Sequence, residues 1–294
     1  MRGIDPFYKP TWRIVILSGV VVLLWGLTAW LRMLAGNIPP LELTGIALAG
    51  AAASSRLLPG TYGAFRTAVR DHRWYAWVVV VAGLIGGAAF YFAALAYAPA
   101  AQVVVITYSW PLLFAMASDV YSGRRPAPTT FVSLLLGLAG VFVMHGSMQA
   151  PSPGAWLGYV GGLASGLCWV AYSLFLQVYS RPVGSAYPAF FTAAAVTALA
   201  LQAAIGGLVW PATVGAWVAS AMLGIGPYGL GFVAWGHVVR HGHPRIVPVL
   251  PYAVPAVAAI TLVMAGRAQP TLFLFAGCVL VTIACVVSTR VRTL

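Results

Sequence analysis

Acidic side chains are almost missing from this chain. Among 294 residues there are four: Asp5, Glu42, Asp71 and Asp119. None lies in the middle of an apolar run, where a charge costs at least about 2.5–3.5 kcal/mol and marks a proton or cation site. A carboxylate-coupled proton antiporter is therefore disfavoured. Lysine and arginine are also missing from the run centres, which argues against a dedicated sugar-phosphate or dicarboxylate site. No HExxH, GxSxG or P-loop occurs, and no His, Cys, Asp and Glu cluster has metal-ligand spacing. The sequence thus predicts no enzyme chemistry, no metal and no cofactor. Cysteine is scarce as well. Cys168, Cys278 and Cys285 lie deep in apolar runs without a CxxC spacing and are expected to be inert buried thiols.

What fills the chain instead is apolar surface. Hydrophobic residues make up 61% and charged residues 7%. A soluble domain carries roughly 25% charged residues, so this composition predicts an integral membrane protein. The formal charge of +12 does not point to nucleic acid. The basic residues are expected to be loop anchors facing an anionic lipid leaflet, which makes membrane lipids partners.

A membrane span needs about 20 mostly apolar residues. Ten such segments are expected, at 13–33, 41–58, 74–97, 101–119, 129–146, 154–178, 187–209, 214–238, 246–265 and 271–289. Short connections with Pro or Gly, such as "GNIPP" and "RHGHPR", separate them. The first segment shows no A-x-A cleavage site and is expected to be a retained span. With ten spans, 14 of the 16 basic residues fall on the side that holds both termini. Only Arg32 and Arg267 fall on the other, where Glu42 is placed to offset Arg32. The positive-inside rule puts both termini in the cytoplasm.

The chain also repeats itself. "ITYSWPLLF" (106–114) and "LPYAVPAVA" (250–258) share Tyr-x-x-Pro, so Tyr108 and Pro111 match Tyr252 and Pro255 at an offset of 144. The same offset pairs Trp25 with Trp169, Gly87 with Gly231, Tyr91 with Trp235 and Pro126 with Pro270. Two halves, 1–148 and 149–294, would each hold five spans. Five is odd, so the halves cross in opposite senses, and inverted repeats are a transporter architecture. The expected fold is all-α, with ten transmembrane helices as two inverted five-helix repeats around a central cavity.

Site residues follow from the duplication. Tyr108 and Pro111, and likewise Tyr252 and Pro255, share a helix face. They would put a tyrosine hydroxyl on a pathway beside a proline hinge, although kinked packing helices would give the same pattern. Span 9, with Pro244, Pro248, Pro251 and Pro255, is the best candidate for bending. Trp25 and Trp169 sit near mid-span, where an indole N–H needs a partner or a wet cavity, and Thr28 and Tyr172 continue their faces. Tyr91 and Trp235 either edge the cavity or mark packing faces beside Gly87 and Gly231. Tyr228, in "GIGPYGLG", belongs to an irregular part of span 8. His237 is the lone histidine well inside a span, either a proton relay or a packing residue. Such a pathway, aromatic and uncharged, suits a small zwitterionic solute, whose ammonium group gains about 0.5–2 kcal/mol over a ring face.

The stretches "LLWGLTAW" (23–30), "AYAPAAQVVVITYSWPLLFAM" (96–116) and "SGRRPAP" (122–128), with the duplicated halves, carry a resemblance. The chain resembles the drug/metabolite transporter superfamily in its ten-span EamA branch. The resemblance implies a basket-like fold in a bacterial inner membrane that rocks between outward-open and inward-open states. It implies export of amino acids, chiefly tryptophan, phenylalanine and tyrosine, with efflux of drugs or cationic amphipaths as the alternative. Without a mid-span acid the transporter is expected to be a facilitator, and ten spans can enclose a pathway in one chain, so a working monomer is expected.

Overall fold

The structure, a computed structural model, describes residues 12–58, 65–98, 100–123, 125, 128–144, 153–181, 183–243, 246–267 and 269–289. Asp5, Pro126, Pro244, the side chain of Cys285 and the expected boundary at 148–149 lie outside the described residues.

Every regular element described is helical. In chain order they are α1 (Trp12–Gly26), α2 (Thr28–Leu34), α3 (Pro40–Ser55), α4 (Phe65–Asp71), α5 (Trp74–Tyr97), α6 (Ala100–Thr107) and α7 (Trp110–Tyr121). There follow α8 (Pro128–Met144), α9 (Ala155–Val178), α10 (Tyr187–Gly206), α11 (Val214–Leu223), α12 (Gly231–His241), α13 (Ala253–Met264) and α14 (Leu272–Thr289). Each expected span is occupied by one of these helices or by a broken pair.

Among the described residues, seven stretches are long and apolar enough to cross a membrane: Trp12–Leu34, Trp74–Tyr97, Gln102–Tyr121, Ala155–Val178, Gly184–Gly206, Val214–His241 and Val247–Met264. The other three expected spans are α3, α8 and α14, with 16, 17 and 18 helical residues. At 1.5 Å per residue α3 covers about 24 Å, short of a bilayer core of about 30 Å. The outside of the bundle is apolar. Val78 on α5, Leu163 and Leu167 on α9, and Val196 and Leu201 on α10 are all exposed, as lipid contact requires and as a soluble monomer avoids.

Among the described residues four spans are not plain α-helices, and in three of them a proline accompanies the irregularity. Span 1 breaks at Leu27, between α1 and α2. Span 4 breaks at Tyr108 and Ser109, because Pro111 in the first turn of α7 has no N–H for the carbonyl of Thr107. Span 9 opens as a 3-10 turn, Val247–Tyr252, carrying Pro248 and Pro251, and becomes α-helical at Ala253. The two proline breaks are related by the offset of 144, since Tyr108 and Tyr252 close equivalent segments. Span 8 holds a π-helix, Gly224–Leu230, around Pro227, at the irregular stretch expected there.

Close packing comes from small residues. The main contacts pair α5 with α9, α8 with α14, α3 with α10, and α1 with α12. A Cβ on Gly224 would stand 2.4 Å from the Ala47 carbonyl oxygen, so only glycine lets α3 lie against the π-helix.

Polar groups are tied off at the ends of the bundle. Arg240 donates to the carbonyls of Tyr179 and Ser180. Glu42 does not pair with Arg32, as its position suggested. Its carboxylate is fully buried and accepts the backbone N–H groups of Val209 (2.9 Å) and Trp210 (2.6 Å). His72, just before α5, is buried between the rings of Tyr179 and Phe190. Burial pushes its imidazole below the usual 6.5, with Asp71 opposing and Arg181 reinforcing the shift. The unfolded chain then takes up the proton more readily, so folding stability is complete above pH 6.5 and is lost as pH falls below it. Thermal unfolding followed on both sides of that pH should show the loss, and His72→Phe should shrink it.

Candidate functional site

A cavity of about 390 Å³ opens among the helices. Both halves of the sequence line it. Trp25, Thr28, Ala29 and Arg32 come from span 1, Gly87, Ala88, Tyr91 and Phe92 from α5, and Thr107, Tyr108 and Trp110 from span 4. Trp169 comes from α9, Pro227, Tyr228 and Phe232 from span 8, and Pro251, Val254 and Pro255 from span 9. The size falls in the range of small-molecule sites, roughly 300–1,000 Å³.

Its aromatic wall is a packed cluster. The Trp169 and Phe232 rings stack at 5.2 Å. Trp25 stands edge-on to Phe232 at 5.6 Å and tilted to Trp169 at 6.5 Å. The indole N–H of Trp25 donates to the carbonyl of Pro227 (3.1 Å), in the π-helix, so this mid-membrane polar group is satisfied.

Two glycines make room for the two tryptophans. A Cβ on Gly87 would lie 2.5 Å from the Trp169 ring, and one on Gly231 would lie 2.9 Å from Nε1 of Trp25. Trp169 is Trp25 shifted by 144, and Gly231 is Gly87 shifted by 144. Each half therefore supplies the glycine that seats the other half's tryptophan. The sequence paired these glycines with the aromatics that follow them, Tyr91 and Trp235. Their contact across the halves was not visible there, because the offset aligns positions and does not report which helix faces which.

The sequence-derived site residues divide. Trp25, Tyr91, Tyr108, Trp169 and Pro255 all line the cavity. Tyr172, Trp235 and Tyr252 stand behind its wall, each nearly or fully buried. Tyr172 shares a hydrogen bond with the Tyr187 hydroxyl, which donates to the Phe232 carbonyl. Trp235 donates to the Ser173 hydroxyl and packs 5.3 Å from Trp25. The ring of Tyr252 lies over Gly137 of α8. Pro111 is buried at the start of α7, outside the lining. His237 is exposed and outside the lining, its ring 4.3 Å from that of His241.

The expectation of an uncharged pathway is corrected. Arg32 lines the cavity. Its place at the end of an apolar run suggests an external span end, yet it lies seven residues after Trp25 and four after Thr28, on their side of span 1. Thr107 and Trp110 were also passed over in the sequence, although they flank Tyr108 and end up in the same wall. Among the described residues no group of three His, Cys, Asp or Glu side chains could hold a metal ion.

Comparison with known proteins agrees with this architecture. The profile of the EamA-like transporter family matches residues 12–146. The chain is similar to the aromatic amino acid exporter YddG of Ancylobacter novellus, with 31% identity over 280 residues, 93% of this chain and 96% of that protein. It also superposes on a solved crystal structure with a TM-score of 0.85 and 30% identity, covering 95% of this chain and 97% of the other. This chain is therefore a multi-pass membrane transporter, a member of the EamA-like family in the drug/metabolite transporter superfamily.

Proposed function

We propose that this transporter exports amino acids from a bacterial cytoplasm across the inner membrane, with tryptophan, phenylalanine and tyrosine preferred. The observation that carries the proposal is the cavity wall of Trp25, Tyr91, Tyr108, Trp169 and Phe232. Offset and edge-on ring contacts are worth about 0.5–1.5 kcal/mol each beyond area burial. The similarity to an exporter of aromatic amino acids supports the same substrate class.

The mechanism is alternating access by two inverted halves, 1–148 and 149–294, each of five spans. The helix pairings support it. Exchanging the halves maps the contact of α5 with α9 onto that of α12 with α1, and maps α3 with α10 and α8 with α14 onto themselves. The reciprocal Gly87–Trp169 and Gly231–Trp25 contacts obey the same exchange. Bending occurs near Pro111 and Pro255, where the spans are already broken. Tyr172, Trp235 and Tyr252 serve as the second layer that holds the wall. The basic residues leave both termini cytoplasmic, and one chain suffices.

The test is counterflow of labelled tryptophan in proteoliposomes holding the purified chain, with labelled lysine and an organic cation in parallel. Tryptophan flux competed by phenylalanine, with no imposed pH gradient, is the expected result. Trp25→Ala and Tyr108→Ala should each lower it by about tenfold or more, equivalent to roughly 1.4 kcal/mol or more, while the protein stays folded. Flux of the cation alone would replace this reading with drug efflux. A strict requirement for a proton gradient, abolished at His237, would overturn the facilitator. Replacing Pro111 or Pro255 with alanine should shift the balance of inward and outward states more than affinity. Unchanged labelling of cysteines introduced on both sides would contradict the hinge.

A further inference from the structure

We propose that Arg32 is the carboxylate anchor of the cavity and the residue that selects zwitterions and anions over cationic amphipaths. This deepens the amino-acid reading above and rests on it.

Arg32 is the sole charged side chain lining the cavity among the described residues. No acidic residue lines it, and no carboxylate lies within ion-pair distance of Arg32 among those residues. The glutamate ten positions on, Glu42, is spent on the backbone of Val209 and Trp210. The side chain is half-buried and its recorded acceptors are two backbone carbonyls, so its charge has no counter-charge beside it. A ligand carboxylate would supply the missing charge.

The side chain is already held in place. One terminal nitrogen, Nη1, donates to the carbonyl of Gly36 (2.5 Å) and the other, Nη2, reaches that of Ile38 (3.4 Å), and the head lies 5.6 Å from the Phe92 ring centre. A guanidinium has five N–H donors, so these two contacts leave others free for a bidentate pair with a carboxylate. Fixing the fork in advance lowers the entropy lost on binding.

Position matches the ligand class. Trp25, Thr28 and Arg32 follow one another along a single face of span 1, two turns from end to end. That sets the Cα atoms of Trp25 and Arg32 about 10 Å apart along the helix axis. An amino acid with an extended aromatic side chain bridges such a gap, with its ring on Trp25, Trp169 and Phe232 and its carboxylate at Arg32. An amphipath whose single charge is positive would meet the guanidinium with like-charge repulsion.

Arg32 also closes the turn after α2, so loss of activity on mutation would not separate anchoring from folding. Ligand charge does. Binding to the purified full-length chain should be titrated calorimetrically with tryptophan, indole-3-propionate (a carboxylate without the amine) and tryptophan methyl ester (the amine without the carboxylate). In the wild type the two carboxylates are expected to bind about tenfold or more tightly than the ester. Arg32→Gln should bring all three to similar affinity by weakening the carboxylates, with ester binding retained as the check on folding. Arg32→Lys, which keeps the charge but loses the fork, should keep part of the preference. An ester bound as tightly as tryptophan by the wild type would overturn the proposal without any variant. So would an unchanged preference in Arg32→Gln. Failure of the amino-acid reading shows separately, as absent tryptophan counterflow, while the preference for indole-3-propionate over the ester can still be measured. Binding of none of the three overturns both.

Discussion

Leucine at Gly87 should abolish transport and alanine should lower it severely, because the site has no room for even one methyl group. A Cβ there meets three atoms of the Trp169 indole at 2.5, 2.6 and 2.8 Å. Real Cβ atoms do not approach so closely, so something must move. The ring cannot retreat easily. It is stacked on Phe232, and Tyr172 stands edge-on to it at 6.2 Å. The backbone is held as well, since the Ser165 hydroxyl of α9 donates to the Gly87 carbonyl of α5 at 2.7 Å. Either the indole swings into the cavity and fills the binding space, or α5 and α9 part and lose that bond. Overpacking of this kind costs about 1–3 kcal/mol. Thermal unfolding in detergent should fall accordingly for Gly87→Ala, and tryptophan counterflow should fall further than stability does. Truncating the indole separates the two causes. Gly87→Ala combined with Trp169→Leu should unfold at a higher temperature than Gly87→Ala alone, a non-additive pair, yet remain poor in flux because the aromatic wall is gone. A Gly87→Ala protein with normal flux and stability would mean that α5 and α9 are not held at this distance.

The mate of this contact gives a matched control. Gly231 stands to Trp25 as Gly87 stands to Trp169, with a slightly longer approach of 2.9 Å to the indole nitrogen. A methyl there would crowd the hydrogen bond from Trp25 to the Pro227 carbonyl. Gly231→Ala should therefore impair transport in the same direction with a smaller loss of stability.

How far the sequence foretold this site can be traced residue by residue. The helices were legible as apolar runs between short connections, and the expected third span, 74–97, coincides with α5. The irregular starts of α7, at Pro111, and of span 9, at Pro248 and Pro251, were legible because proline removes a donor wherever it sits. The aromatic identity of the cavity was legible at Trp25 and Trp169, whose mid-span indoles need a partner. What composition and spacing cannot show is the face a side chain presents to its neighbours. Tyr172 and Trp235 carry the same residue types as the cavity wall, but their polar atoms are taken by Tyr187 and Ser173 on other helices. Arg32 is the reverse case. At the end of a hydrophobic run it reads as a loop anchor. Its spacing of seven from Trp25 was the available signal, since that spacing keeps two residues on one helical face across two turns.

Glu42→Ala should destabilise the folded protein by roughly 1–3 kcal/mol, from two hydrogen bonds lost at about 0.5–1.5 kcal/mol each. The carboxylate is fully buried, and both of its oxygens are used, one by Val209 and one by Trp210. Trp210 sits at a φ of 55°, in the left-handed region that a non-glycine residue adopts only when held there. Glu42 of α3 is the group that holds it. Without the carboxylate the turn joining α10 to α11 loses its fixed conformation, and α11 packs against α2, the helix that carries Arg32. The loss should thus spread from stability to ligand charge preference, because the guanidinium fork is only as fixed as α2. Glu42→Gln keeps one acceptor oxygen and should fall between alanine and the wild type. Thermal unfolding of the three proteins checks the order, and titration with tryptophan and its methyl ester checks the spread. If Glu42→Ala were as stable as the wild type, the turn would be held by something other than this carboxylate, and the link from α3 through α11 to Arg32 would fall with it.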